Sequence, residues 1–130
     1  MIRACHHIGL NVHDLEEAKT FWGGALGLEE VERPEAIKHY RSVWYQLGVS
    51  ELHVIENKAF IPTTQNPLPH IAMAVREEDY DAVIERVRAA GFKFGFGPAK
   101  GPEGVLTATT LDPSGNSVEI TVKEMTQTSV

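Results

Sequence analysis

Two segments of the chain carry the same order of apolar and polar positions. In the first, the alternation from Cys5 to Val12 predicts a strand. Asp14 is placed to cap a following helix, with Glu17 in capping-box spacing, and Gly27 is placed to end that helix. Three further strands are predicted at residues 28–33, 39–47 and 51–56.

The same order begins again after residues 61–69, a connector with three prolines and no periodicity. A strand is predicted from Pro69 to Val75, followed by a helix that Asp79 opens and Gly91 ends. Residues 97–104 are rich in glycine and proline and predict a loop, either a lid over a site or an ordinary surface turn. The remaining predictions are strands at residues 92–96, 105–111 and 116–123, and a frayed tail at 124–130.

The two segments therefore form an internal repeat. The run from His7 to Val12 matches the run from His70 to Val75 at an offset of 63 positions, and residues 52–55 match residues 118–121 at an offset of 66. We expect one domain made of two modules, at about residues 4–60 and 68–124. Each module is too small to bury its own sheet face, so the two should pack together.

Composition narrows the class of protein. The 130 residues carry a net charge of -6 and no basic stripe, which argues against nucleic acid and gives no reason to expect binding to an anionic membrane. No stretch reaches the about 20 apolar residues that cross a bilayer. The single cysteine, Cys5, and an N-terminal sequence unlike a secretory signal are typical of a cytoplasmic protein.

Strand parity places four metal-binding side chains on one inferred face. His7 and His70 open the two modules and point away from the apolar residues that should lie under each helix. His53 and Glu119 alternate with apolar residues in the last strand of each module in the same way. Three imidazoles and a carboxylate suit one divalent ion such as Zn, Ni, Co, Mn or Fe(II). Alone, each histidine would more often be a structural residue.

Several stretches resemble the vicinal oxygen chelate superfamily, which includes glyoxalase I, bleomycin-resistance proteins, fosfomycin-resistance enzymes and extradiol dioxygenases. The stretches are HHIGLNVHDLEEAKTFWGGALGL, LPHIAMAV and DPSGNSVEIT, and the similarity covers nearly the whole chain. The resemblance implies an α+β fold in which two tandem βαβββ modules form a curled mixed sheet around a central metal cavity, with the helices outside.

The resemblance also implies a role for each of the four residues. It places metal ligands at His7, His70 and Glu119. The remaining family position, often Glu or Gln, falls on His53, which is either a fourth ligand or an acid–base group beside the other three. A three-residue set resembles the extradiol dioxygenases, but the late histidine and tyrosine that those enzymes tend to carry are missing between residues 97 and 119.

These residues lead to three functional hypotheses. The first is a metal-dependent, glyoxalase-like lyase or isomerase, in which the metal chelates two vicinal oxygens and stabilises an enediolate while His53 or Glu119 moves the proton. The second is an extradiol-type iron(II) dioxygenase. The third is a protein that sequesters a drug or metabolite without catalysis.

Other residues are weaker candidates for a functional role. Arg41, Tyr45 and Lys100 are candidates for contact with a small-molecule substrate, although aromatic strand residues are core by default. We expect His6 to point under the first helix as a core histidine, and His13 to be solvated. Two-module relatives usually pair, so the resemblance implies a homodimer, with the site completed within one chain or across the interface.

Overall fold

The computed structural model describes residues 1–125, which fall into two compact units. Unit one is Met1–Ile61, and unit two begins at Pro62. Each unit holds one four-stranded mixed sheet with a helix packed on one face. Among the described residues, no helix is long and apolar enough to cross a membrane. The end of the predicted frayed tail, residues 126–130, lies outside the described part of the chain.

Unit one follows the predicted order of strand, helix and three strands. Its sheet has the order β1-β4-β3-β2, in which β1 is parallel to β4 and the other neighbours are antiparallel. A short 3-10 turn at Glu35–Ile37 separates β2 from β3. The elements are β1 (His7–Val12), α1 (Leu15–Lys19), a π-helical continuation (Thr20–Ala25), β2 (Glu30–Val31), β3 (Ser42–Leu47) and β4 (Ser50–Glu56).

The predicted helix signals act as expected in unit one. The Asp14 side chain caps α1 by accepting a hydrogen bond from the backbone N–H of Glu17 at 2.9 Å. Gly27 follows the helix with a φ of 71°, a left-handed conformation that glycine adopts without strain. The helix buries Phe21 and Trp22 completely, and Leu52 and Val54 of β4 are equally inaccessible on the apolar face of the sheet.

Unit two repeats this arrangement with the sheet order β5-β8-β7-β6. Strand β5 is parallel to β8, as β1 is to β4. Tyr80, Ile84 and Val87 form the buried stripe of α2. The elements are β5 (His70–Ala74), α2 (Glu77–Ala89), β6 (Phe94–Lys100), β7 (Leu106–Leu111) and β8 (Ser117–Thr121).

Strand register confirms the internal repeat. Gly9 of β1 lies opposite His53 of β4, and the equivalent Ala72 of β5 lies opposite Glu119 of β8. The two offsets found in the sequence therefore describe the same pairing in both sheets. The α+β fold with two tandem modules is confirmed.

Two element boundaries differ from the predictions. Helix α2 begins at Glu77 rather than at Asp79, because three acidic residues occupy its first turn, where they complement the helix dipole. Strand β6 continues to Lys100 through the segment predicted as a loop from Gly97. It is an edge strand with register shifts on both sides of Phe96, and edges and bulges tolerate Gly-Pro sequences.

Candidate functional site

In unit two, His70 and Glu119 come together on one face of the sheet. Nε2 of His70 lies 3.3 Å from Oε2 of Glu119, and the side chains are 49% and 28% exposed. Strand β5 runs parallel to β8 with Ala72 opposite Glu119. His70 lies two positions before Ala72, so its side chain projects from the same face of the sheet as Glu119. The pair is thus a product of the sheet register and remains accessible to a ligand.

Neighbouring groups orient both members of this pair. Nδ1 of His70 is 3.0 Å from the carbonyl oxygen of Leu68, which can only accept, so this nitrogen donates, and in the neutral ring Nε2 carries the lone pair. The hydroxyl of Thr107 is 3.0 Å from both Oε1 of Glu119 and the carbonyl oxygen of Ile120, and Oε2 of Glu119 faces His70. Outer partners of this kind orient the ligands in many metal sites.

The geometry of the pair fits a divalent ion. A neutral imidazole with its hydrogen on Nδ1 and a carboxylate present two acceptors to each other at 3.3 Å, a contact that a cation between them or a proton on Nε2 stabilises. Two ligand atoms about 2.1 Å from one ion, at an octahedral or tetrahedral angle, lie about 3.0–3.4 Å apart. His70 and Glu119 match that spacing without rearrangement.

In unit one, His7 and His53 meet in a different way. Their rings are stacked, with centroids 4.3 Å apart and an angle of 13° between the planes. The other face of His53 stacks on Trp44 at 3.6 Å and 3°. His53 is 8% exposed, and its Nε2 lies 2.9 Å from Oε1 of Glu51. The imidazole is therefore held by two aromatic rings and one carboxylate.

This stack is not a chelating geometry. A nitrogen lone pair lies in the plane of its ring, so the lone pairs of the near-parallel His7 and His53 rings do not point at one ion. A clamped imidazole with a carboxylate partner is instead suited to acid–base work. Glu51 was not among the predicted site residues, although its position two residues before His53 on a strand is a signal for a shared face.

The four predicted ligands therefore lie as two pairs, one pair in each unit. Among residues 1–125, no three His, Cys, Asp or Glu side chains form a group that could hold a metal ion. The pairs are His7 with His53, and His70 with Glu119. Their joint binding of one ion stays a prediction.

The three predicted substrate residues have separate environments. Nε of Arg41 lies 2.8 Å from Oε1 of Glu56. That ion pair, together with the backbone N–H of Leu15, lowers the pKa of Glu56 to about 2. Tyr45 is 1% exposed beneath the first helix, where burial raises its pKa to about 12, so its role here is packing. Lys100 is exposed at the end of β6.

Two expectations for the remaining histidines were wrong. His6 is exposed and contacts His7, because β1 begins only at His7 and the alternation does not extend to the preceding residue. His13 is partly buried rather than solvated, and its Nε2 hydrogen-bonds to the carbonyl oxygen of Phe60.

A cavity of about 380 Å³ lies beside Glu119 in unit two. It combines small apolar residues with two threonine hydroxyls and an ion pair, in which Nζ of Lys123 is 2.9 Å from Oε1 of Glu103. Polar groups of both signs therefore lie close to the His70–Glu119 pair. The lining residues are Ala72, Gly101, Pro102, Glu103, Val105, Thr107, Glu119, Thr121 and Lys123.

Each unit has the order β-α-β-β-β and carries two polar side chains on the face of its sheet away from the helix. Repeated units of this kind define a class of α+β proteins. Residues 4–120 match the Glyoxalase/Bleomycin resistance protein/Dioxygenase superfamily. The chain belongs to this superfamily.

Individual relatives agree with this placement. The glutathione transferase FosA of Serratia marcescens is 28% identical over 124 residues, which cover 94% of this chain and 82% of FosA. A glyoxalase/dioxygenase from Nostoc punctiforme has a similar structure, with a TM-score of 0.81, 21% identity, and coverage of 95% of this chain and 92% of that one.

A third relative was solved with ligands. It is a mutant of the fosfomycin resistance protein FosX from Listeria monocytogenes, complexed with Mn(II) and 1S,2S-dihydroxypropylphosphonic acid. It is 18% identical, with a TM-score of 0.75 and coverage of 96% of this chain and 94% of that one. At this identity the likeness concerns the fold alone.

Proposed function

We propose that this protein is a metal-dependent lyase or isomerase that moves a proton on a small substrate with vicinal oxygens. The observation that carries the proposal is the spacing of 3.3 Å between Nε2 of His70 and Oε2 of Glu119. The Leu68 carbonyl and the Thr107 hydroxyl orient these two side chains so that a nitrogen lone pair and a carboxylate oxygen face each other.

The proposed ligands of one divalent ion are His7, His70 and Glu119. Support for His70 and Glu119 is geometric, and support for His7 is its equivalence to His70 in the repeat. When bound, the ion supplies Lewis-acid polarisation of substrate oxygens. Zinc, nickel, cobalt, manganese and iron(II) all suit a set of two imidazoles and one carboxylate.

His53 is the proposed acid–base group. Trp44 and His7 hold its ring between two near-parallel planes, and Glu51 bonds to Nε2, so the ring cannot turn without losing three contacts. Nδ1 is then the atom that takes or returns the substrate proton. Glu51 stabilises the imidazolium that forms when His53 accepts a proton.

The cavity beside Glu119 indicates a small, oxygen-rich substrate. Its volume of about 380 Å³ suits a molecule of modest size. The hydroxyl of Thr121 accepts from the backbone N–H of Lys123 and can donate a hydrogen bond to a substrate oxygen. The ammonium group of Lys123 also lines the cavity, and because it is paired with Glu103 it binds an anionic substituent only in exchange for that contact.

The similarity to FosA favours a second candidate function, the modification of fosfomycin. FosA is 28% identical over 94% of this chain, and a phosphonic acid is bound in the related FosX structure. A phosphonate is an anion that Lys123 would bind in exchange for its contact with Glu103. The reaction would add glutathione or water to the substrate instead of transferring a proton within it.

Elemental analysis of protein purified without added metal is the first test, followed by three assays of the loaded protein. We expect one divalent ion per chain and exchange of solvent deuterium into a hydroxycarbonyl substrate. Fosfomycin consumption with glutathione or water would replace the leading proposal by the second candidate. Stoichiometric iron that bleaches in air, with oxygen consumption on catechols, would contradict both and indicate a dioxygenase. Ligand binding that survives removal of the metal would indicate a sequestering protein.

We also propose that the protein is a cytoplasmic homodimer. The single exposed thiol of Cys5, which has no disulfide partner, supports a reducing compartment. Light scattering coupled to size-exclusion chromatography tests the assembly, and a monomeric mass at micromolar concentration would contradict it.

A further inference from the structure

The contact between His6 and His7 departs from ordinary strand geometry. Adjacent residues of a strand project to opposite faces, yet these two rings meet edge-on, with centroids 5.3 Å apart and planes at 90°. Their Nδ1 atoms are 3.0 Å apart, which is a hydrogen-bond distance. His6 precedes the first residue of β1, so it is free of the alternation and can turn towards its neighbour.

The backbone around His6 is fixed by β4. The carbonyl oxygen of His6 accepts a hydrogen bond from the backbone N–H of Glu51 at 2.9 Å. The carbonyl oxygen of Cys5 accepts another from the hydroxyl of Ser50 at 2.6 Å. The His6 ring is therefore presented to His7 from an anchored chain, even though the side chain itself is exposed.

Only one of the two facing Nδ1 atoms carries the shared hydrogen. If His6 donates, the neutral His7 ring holds its own hydrogen on Nε2 and has no lone pair left there for a metal. If His7 donates, its Nε2 is free to bind. The equivalent His70 has no such choice, because its Nδ1 faces the carbonyl oxygen of Leu68 and must donate.

We propose that His6 is a positioning residue for His7. Its Nδ1 accepts the hydrogen bond from Nδ1–H of His7, which orients the ring and leaves Nε2 of His7 as the metal-binding atom. The imidazole of His6 thus does in unit one what the Leu68 carbonyl does for His70 in unit two. This inference rests on the proposed role of His7 as a metal ligand.

The test measures Co(II) and Zn(II) binding to the full-length protein, by titration of the Co(II) visible spectrum and by Zn(II) competition. His6→Phe keeps a ring but cannot accept, whereas His6→Asn restores an acceptor oxygen. We expect His6→Phe to bind about 10–100-fold more weakly than the parent, as loss of an outer partner usually costs, and His6→Asn to recover most of the affinity. His39→Phe is the matched control, since His39 is also exposed but contacts Tyr40, and it should bind like the parent.

The nitrogen-15 chemical shifts of the His7 ring nitrogens in the metal-free parent provide a second test, and we expect them to show the Nδ1–H tautomer. An Nε2–H tautomer, parent-like binding by His6→Phe, or equal weakening in His6→Asn and His6→Phe would each overturn the inference. A His7→Ala variant separates the two proposals. If it binds metal as the parent does, the proposed ligand set is wrong. If it loses binding while His6→Phe does not, only the role of His6 is wrong.

Discussion

The two units share one backbone plan but hold their polar pairs in different ways. His53 and Glu119 occupy equivalent positions, each opposite a small residue of the module-opening strand. In unit one the imidazole of His53 stacks between two rings. In unit two the carboxylate of Glu119 faces Nε2 of His70 at the spacing of a chelating pair.

The neighbours on the adjacent strand explain this difference. Trp44 lies opposite His53 and offers a flat surface, so the imidazole lies against it. Thr109 lies opposite Glu119, and Thr107, two residues earlier, supplies a hydroxyl to the carboxylate. The repeated module thus holds a stacked imidazole at one of two equivalent positions and a carboxylate facing an imidazole at the other, and we propose proton transfer for the first and metal binding for the second.

The largest expected effect comes from breaking the pair in unit two. Glu119→Gln and His70→Ala should each remove stoichiometric metal binding, because each deletes a ligand and not merely an outer partner. Affinity should fall by more than the about 10–100-fold that loss of an outer partner costs. Calorimetric titration with Zn(II) measures it, and parent-like affinity in either variant would contradict the assignment.

The equivalent change in unit one should separate chemistry from metal binding. His53→Gln should lower kcat by about 10²–10⁴-fold, the usual contribution of a general acid–base group, while metal stoichiometry is kept. Paired kinetic and elemental measurements test this. Loss of the metal in His53→Gln would show that His53 is a fourth ligand, and the contrast between the units would then disappear.

A smaller effect is expected from the hydroxyl that orients Glu119. Thr107→Val is nearly isosteric and removes the hydroxyl that lies 3.0 Å from Oε1 of Glu119 and from the Ile120 carbonyl oxygen, so metal affinity should fall by about 10-fold. Thr107→Ser keeps the hydroxyl and serves as the control. Equal affinities for the Val and Ser variants would mean that the hydroxyl does not orient the carboxylate.

Two buried tyrosines extend the comparison to stability. Within the described residues, the hydroxyl of Tyr45 in unit one has no hydrogen-bond partner, whereas that of Tyr80 in unit two donates to the Thr107 carbonyl at 2.7 Å. Tyr45→Phe should stabilise the protein by about 1 kcal/mol, and Tyr80→Phe should destabilise it by about 1 kcal/mol. Urea unfolding measures both, and shifts of the same sign would refute the distinction.

The smallest effect concerns pH and unit one alone. Arg41 and the Leu15 N–H lower the pKa of Glu56 from an ordinary 4.5 to about 2. The stabilisation from ionised Glu56 is therefore complete above pH 4.5 and is lost as pH falls towards 2. Glu56→Gln should show a shallower loss of stability over this interval than the parent, and identical pH profiles would exclude the effect.

Much of the fold could be predicted from local features of the sequence. Asp14 caps a helix and Gly27 ends one because capping and left-handed backbone depend on the residues themselves. The repeat offsets of 63 and 66 positions relate the pairing of Gly9 with His53 to that of Ala72 with Glu119, which the structure shows. The extension of β6 to Lys100 was missed, because pairing with a neighbouring strand overrode the local loop preference of glycine and proline.

The candidate residues were visible in the sequence, but their partners were not. Alternation along a strand is a local property, so it placed His7, His53, His70 and Glu119 on one face of their strands. The contacts of Glu51, Trp44 and Thr107 depend on which strands are neighbours and on the rotamers that packing selects.

The duplicated module, the helix ends and the identity of the polar residues follow from the order of residues alone, because backbone preference and side-chain parity act over a few residues. The fold was needed to show that one polar pair stacks and that in the other an imidazole nitrogen faces a carboxylate oxygen. That outcome depends on distances of a few ångströms between residues far apart in the chain, which strand register and packing set.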